Sequence, residues 1–250
     1  MWGKMRHSVI AAPLKWAFLM ARQWHSRWMD RRWNIDTAYA TGKKWALGGH
    51  FADDHIYEPV PYLLLPAFAQ PLQVTARDVV FDIGCGSGRW LFFFAQLGVK
   101  ECVGVELSEQ LVAKGRENIK RFQERKRVEG EGGEGGGGGG VRIEYGDAAQ
   151  ADYGTGTIFV LFNPFGPQTM KVVLDRIGLS LEQHPRRIQL LYINPKHEEI
   201  FQGTGWLRKM AHVHPRFTST QASVWSNGVG AERTDTKAMG KGGRLVEVKG

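Results

Sequence analysis

Two cysteines in 250 residues are too few for a disulfide scaffold. Cys85 and Cys102 show no metal-ligand spacing, and the eight histidines, His212 and His214 among them, form no zinc pattern with cysteine or acid. No metal site is therefore expected. No apolar run approaches the ~20 residues needed to span a bilayer. Lys15 interrupts the one stretch that could pass for a signal-peptide core. Scarce cysteine without a secretory signal points to a reducing, intracellular compartment, cytoplasmic or organellar. A phosphate-binding P-loop is excluded as well, because no glycine-rich turn ends in Gly-Lys-Ser/Thr.

Acidic residues are missing from the start of the chain. Before Asp30 there is none. Residues 1–50 hold nine Lys/Arg against Asp30 and Asp36, a balance of +7, whereas the remaining 200 residues balance at +1. The basic character thus belongs to the N-terminus, which argues against a nucleic-acid groove spread over the whole molecule. Six of the nine tryptophans lie in the same segment. Pro13 can open a helix over 14–33, with Ala17, Ala21, Trp24 and Trp28 sharing a face. Three readings of this extension, residues 1–49, stay open. It packs on the following domain and helps to close its site. It is a mitochondrial-type targeting segment, cleaved or retained. Or it is an arm that contacts a membrane surface or RNA.

What the chain does have is concentrated at 79–90, Val-Val-Phe-Asp-Ile-Gly-Cys-Gly-Ser-Gly-Arg-Trp. Val79, Val80 and Phe81 read as a strand buried on both faces. Asp82 closes it. Gly84, Gly86 and Gly88 alternate through a turn, and a helical pattern runs from Trp90 to Gly98. Glycines let backbone approach a ligand closely. The spacing is not that of a dinucleotide fold, since Gly88 comes one residue early and Arg89 stands where the third glycine belongs. That disfavours a nicotinamide-dependent oxidoreductase. A carboxylate just before the glycines repels phosphate and suits an ammonium or a sulfonium. Cys85 reads as a small residue lining the pocket rather than a nucleophile.

Further strand ends carry polar residues. The strand over 102–107 ends at Glu106 and Leu107, about 20 residues past the glycines, where a carboxylate can accept from both ribose hydroxyls of an adenosine. Ser108 caps a helix from Glu109 with apolar Leu111, Val112, Ile119 and Phe122. The third strand leads into Asp147 and Ala148. The fourth, 157–162, leads into Asn163-Pro164-Phe165. In an open parallel sheet these strand ends face the ligand. The Asn163 carbonyl can accept from an amine, and Phe165 can stack on it.

Asp82, the glycine turn and Glu106 together resemble the class I S-adenosylmethionine (SAM)-dependent methyltransferases. The resemblance covers about 50–210 and is similar to poorly characterised bacterial-type members, more distantly to a lysine methyltransferase group. It implies that SAM is bound by Asp82, Gly84, Cys85, Gly86, Gly88, Glu106, Leu107, Asp147 and Ala148, with Glu106 on the ribose and Asp147 and Ala148 on the adenine side. It implies that Asn163, Pro164 and Phe165 meet the acceptor. Amino-group methyltransferases often have a second proline where this chain has Phe165. The implied activity is methyl transfer to an amine, protein lysine before a small amine and before RNA. A non-catalytic partner or RNA-binding module on the same fold is the alternative. Tyr57 and Tyr62 either close the donor pocket or pack a helix onto the sheet.

Alternating strands and helices from 79 to 194 argue a doubly wound, mostly parallel α/β sheet. The fifth strand is expected at 187–193. The resemblance makes the fold Rossmann-like with seven strands and a final antiparallel strand, for which 221–226 and 244–249 are the candidates. The methyltransferase domain is expected over 50–250. Residues 129–140, mostly glycine and glutamate, cannot bury surface and are expected to be a disordered insertion without a catalytic role.

Overall fold

The computed structural model describes residues 6–38, 59–129, 140–215, 218–228, 237–239 and 245–247. Strand β1 (Val79–Ile83) sits at the centre of a sheet, and its five residues are all buried. Around it stand β2 (Glu101–Glu106), β3 (Gly140–Tyr145), β4 (Ile158–Phe162), β5 (Gln189–Ile193), β6 (Arg208–Val213) and β7 (Ala222–Ser226). The order is β3-β2-β1-β4-β5-β7-β6. Every pairing is parallel except those of β7, which runs antiparallel to both β5 and β6.

Alternate side chains along each strand enter opposite layers, as the period of two requires. Val80, Ile158 and Val160 join one core with α2 (Leu65–Ala69), α3 (Arg89–Gln96) and α4 (Glu109–Val128). Phe81, Phe159 and Leu161 join the other with α5 (Pro167–Gln183) and α6 (Glu198–Gly203). Burial on both faces explains the unbroken apolar runs of the central strands. The chain order reverses between β1 and β4, so the crevice beyond their carboxyl ends is the switch point where such sheets bind ligands.

Local chemistry sets the helix ends. Ser108 caps α4, its Oγ accepting from the Leu111 N–H at 3.4 Å. Pro167 opens α5, where the missing N–H costs nothing. Helix α1 (Arg6–Arg32) begins seven residues before Pro13 rather than at it. Its last turns and the residues after it are built into the first core: Asp30, Trp33, Ile35 and Thr37 are buried.

The end of the chain departs from expectation. Strand β7 falls where expected, at Ala222–Ser226, but its partner is β6. Residues 245–247 form β9 (Leu245–Glu247), which pairs with β8 (Lys237–Met239) in a separate two-stranded sheet. Strand β6 was illegible because it is an edge strand, exposed along most of Arg-Lys-Met-Ala-His-Val, and so carries no apolar alternation. Glu129 is the C-cap of α4 and Gly140 the first residue of β3, so the ends of the glycine-rich stretch belong to regular elements. Its residues 130–139, like Tyr57, lie outside the described residues.

Candidate active site

All three glycines of the turn have positive φ: Gly84 at 77°, Gly86 at 55° and Gly88 at 94°. The turn is bound to the end of β2. The N–H groups of Gly84 and Cys85 both donate to the Val105 carbonyl, at 2.8 and 3.2 Å. The Gly86 N–H donates to Glu106 Oε2 at 2.8 Å, and the Ser108 N–H to Glu106 Oε1 at 2.9 Å. A methyl group at Gly84 would stand 2.6 Å from Cβ of Pro164, so this glycine also lets the loop after β4 close on the turn. Gly88 is the N-cap of α3.

Two buried carboxyls stand at the floor. Asp82 lies inside β1 rather than beyond it. Its pKa is pushed from the usual 3.8 up to about 8 by burial and by the neighbouring Glu106. No donor among the described residues reaches it. Burial also raises Glu106, while the N–H groups of Ser108, Gly86 and Leu107 oppose that shift. Each Glu106 oxygen keeps a lone pair beyond the bond it makes to the backbone. A buried acid without a donor fits a cationic group, and spare acceptor capacity at the next strand end fits a diol. The residues present therefore suit SAM.

The remaining expected residues divide. Leu107 stands 45% exposed at the rim, an apolar side chain available to a flat ring. Asp147 is half-buried, its Oδ1 held by the Ala149 N–H at 2.8 Å, and the Ala148 carbonyl accepts from the Tyr153 hydroxyl at 2.8 Å. The Gly146 N–H donates to the Glu106 carbonyl at 3.0 Å, which brings this loop beside the glycine turn. Cys85 is buried. Its Sγ packs over Gly104 in the first core, and the thiol donates to the Gly86 carbonyl of the turn at 3.6 Å. Asn163 is buried with φ 41°, and the Tyr192 hydroxyl approaches its Oδ1 at 3.4 Å. The His197 N–H donates to that hydroxyl in turn, at 3.2 Å. Phe165 is half-buried against the α5 side. A cavity of about 230 Å³ opens at the ends of β4 and β5, lined by Phe162, Asn194, Thr220, Val60 and Arg22 among others.

Arg89 is the residue that sequence reasoning missed. Noted only as an intruder on a glycine pattern, it is buried at the start of α3. Its Nε donates to Thr37 Oγ1 at 2.8 Å, and its two terminal nitrogens to the carbonyls of Val60 and Thr37, each at 3.0 Å. Asp30 lies 3.8 Å away, and the guanidinium sits 4.5 Å above the Tyr62 ring. Tyr62 is itself buried, its hydroxyl donating to Asp30 Oδ1 at 3.0 Å, so it anchors the N-terminal segment. Asn118 on α4 makes a second anchor, bonding both the N–H and the carbonyl of Asp36 and reaching the Ser87 carbonyl at 3.3 Å. A polar residue on the apolar face of α4 was the available signal for it.

Residues 80–132 match a family described as a methyltransferase domain. A protein-lysine N-methyltransferase of Saccharolobus islandicus is 32% identical over 66 residues, 26% of this chain and 41% of that protein. The match thus spans about two fifths of the relative's length. An RNA methyltransferase from Salinibacter ruber, solved with S-adenosyl-L-homocysteine, is 20% identical with a TM-score of 0.49, covering 71% of this chain and 99% of its own. A precorrin 8w decarboxylase from Methanobacterium thermoautotrophicum is 16% identical with a TM-score of 0.47, covering 69% of this chain and 93% of its own. The segment that matches the methyltransferase domain holds β1, the glycine turn, α3, β2 with Glu106, and α4.

Proposed function

We propose that this protein transfers the methyl group of SAM to an amine, with protein lysine the preferred acceptor. The observation that carries the donor half is the turn of three positive-φ glycines tied to Glu106 beside a buried Asp82 with a raised pKa. When bound, SAM supplies an electrophilic methyl group on a sulfonium. Asp82 gives up its proton and faces the ammonium of the methionine end. Glu106 accepts from the ribose hydroxyls while it keeps the turn in place. Leu107, Asp147 and Ala148 border the adenine. The chain's work is alignment and exclusion of water, so proximity carries the rate.

The amine half rests on the match to a protein-lysine N-methyltransferase and on the residues after β4. Asn163 Oδ1 has a second lone pair beside the one directed at Tyr192. Arg22 is the one charged side chain lining the adjoining cavity among the described residues. A fixed cation there disfavours an incoming ammonium and favours the neutral amine that can attack. Methyl-labelled SAM incubated with the protein and a cell extract tests this reading. Label removed by protease and retained after ribonuclease supports it. Label removed by ribonuclease, or none transferred, contradicts it.

A further inference from the structure

Helix α1 is inside out. The face it turns to the domain carries Ser26 and Asp30, buried, with Phe18 and Met29 partly so. The face it turns to solvent carries its largest apolar side chains: Trp16 is 68% exposed, Met20 57%, Trp24 75% and Trp28 50%. Positions four apart advance by about 40° on a helix, so these four form one slowly turning strip, about 18 Å long at 1.5 Å per residue. The same periodicity places Arg27 and Arg31 within the strip and Arg32 at its margin, all three exposed. The single acid of α1, Asp30, is buried beneath Arg89 and does not offset them. The outward face is aromatic and cationic at once.

We propose that this face docks on an anionic phospholipid bilayer, with α1 lying in the plane of the headgroups. Charge complementarity selects the occupant. The first 50 residues balance at +7 and the other 200 at +1, so attraction to a negative surface is focused on this end of the chain. Each basic residue near such a surface adds to the attraction. Indole rings favour the level of the headgroups, and arginine stems extend over apolar surface while their heads stay wet. The helix lies on the membrane and does not span it: no helix among the described residues is long and apolar enough to cross. Single-stranded RNA fits less well, because it is held in a basic groove that tracks the backbone. Here the arginines gather at one end of a convex rod while the apolar strip runs along it, and a plane meets such a strip along its length.

Flotation of the full chain with vesicles tests the proposal. Phosphatidylcholine vesicles containing phosphatidylglycerol should carry the protein up, and phosphatidylcholine alone roughly tenfold less or worse. The variant Trp16→Ser/Trp24→Ser/Trp28→Ser should lose roughly tenfold or more of that binding, and Arg27→Glu/Arg31→Glu should lose the preference for the anionic lipid. Both should keep the thermal unfolding and SAM affinity of the parent, since these side chains face away from the core. No flotation, or flotation unchanged in the tryptophan variant, overturns the proposal. So does binding of an oligoribonucleotide through these tryptophans without vesicle binding. Sedimentation equilibrium showing that the strip closes a dimer in place of meeting lipid overturns it too.

Discussion

Asp82 is the residue where structure and chemistry meet most sharply. Its pKa stands near 8 in the folded chain against 3.8 unperturbed, so the fold binds a proton that the unfolded chain releases. The stability this carboxyl contributes is fully present below about pH 4 and is lost as the pH rises towards 8. Asp82→Asn should therefore raise the Tm of the unliganded protein at pH 8, by about 5 °C, and leave it almost unchanged at pH 4; calorimetric scans at the two values decide this. Pairing with an ammonium requires the ionised form. The affinity for SAM should fall as the pH drops below 8, approaching tenfold per unit, and Asp82→Asn should bind weakly with a flat profile. A SAM affinity that strengthens on acidification contradicts this. Gly84 offers a steric test. Alanine there must hold φ 77° with its Cβ on Pro164, and should cost about 2 kcal/mol in urea unfolding.

At the scale of elements, the buried group of Asp30, Thr37, Tyr62 and Arg89 joins the segment after α1 to the start of the helix that follows the glycine turn. Breaking a buried pair leaves a charge unmatched. Arg89→Met should cost about 3–5 kcal/mol in urea unfolding, and Asp30→Asn/Arg89→Met should lose less than the two single changes summed. Additive losses contradict a shared network. This group also marks the boundary of what the sequence could reveal. Strands β1, β2, β4 and β5 were legible because burial on both faces writes itself as an apolar run. Ser108 and Gly98 announced helix ends through local backbone chemistry. Asp82, Glu106 and the glycines were legible because they sit next to those strand ends. Arg89, Asn118 and Tyr62 act across 25 to 82 positions of sequence, and no local pattern encodes such a partner. Edge strand β6 was lost for the opposite reason: it has too little burial to shape its composition.

In the whole molecule, the sheet crevice and the exposed aromatic strip lie on different parts of one chain. The switch point of the sheet, where we propose the donor is held, lies between the carboxyl ends of β1 and β4, while charge and exposed tryptophan belong to α1. The residues that link them run from Asp30 to Thr37, and Asn118 ties Asp36 to the Ser87 carbonyl inside the glycine turn. Asn118→Leu removes bonds to both. It should weaken SAM binding about tenfold with a smaller change in Tm than Arg89→Met, a contrast that titration and scanning calorimetry read on the same samples. The central claim is that Glu106 and the glycine turn hold SAM. Isothermal titration of SAM into the full chain at pH 8, and into Glu106→Gln, tests it most directly. The account predicts one binding site in the parent and at least about tenfold weaker binding in the variant, with circular dichroism unchanged. No heat of binding in the parent, or equal affinity in a folded Glu106→Gln, would contradict it.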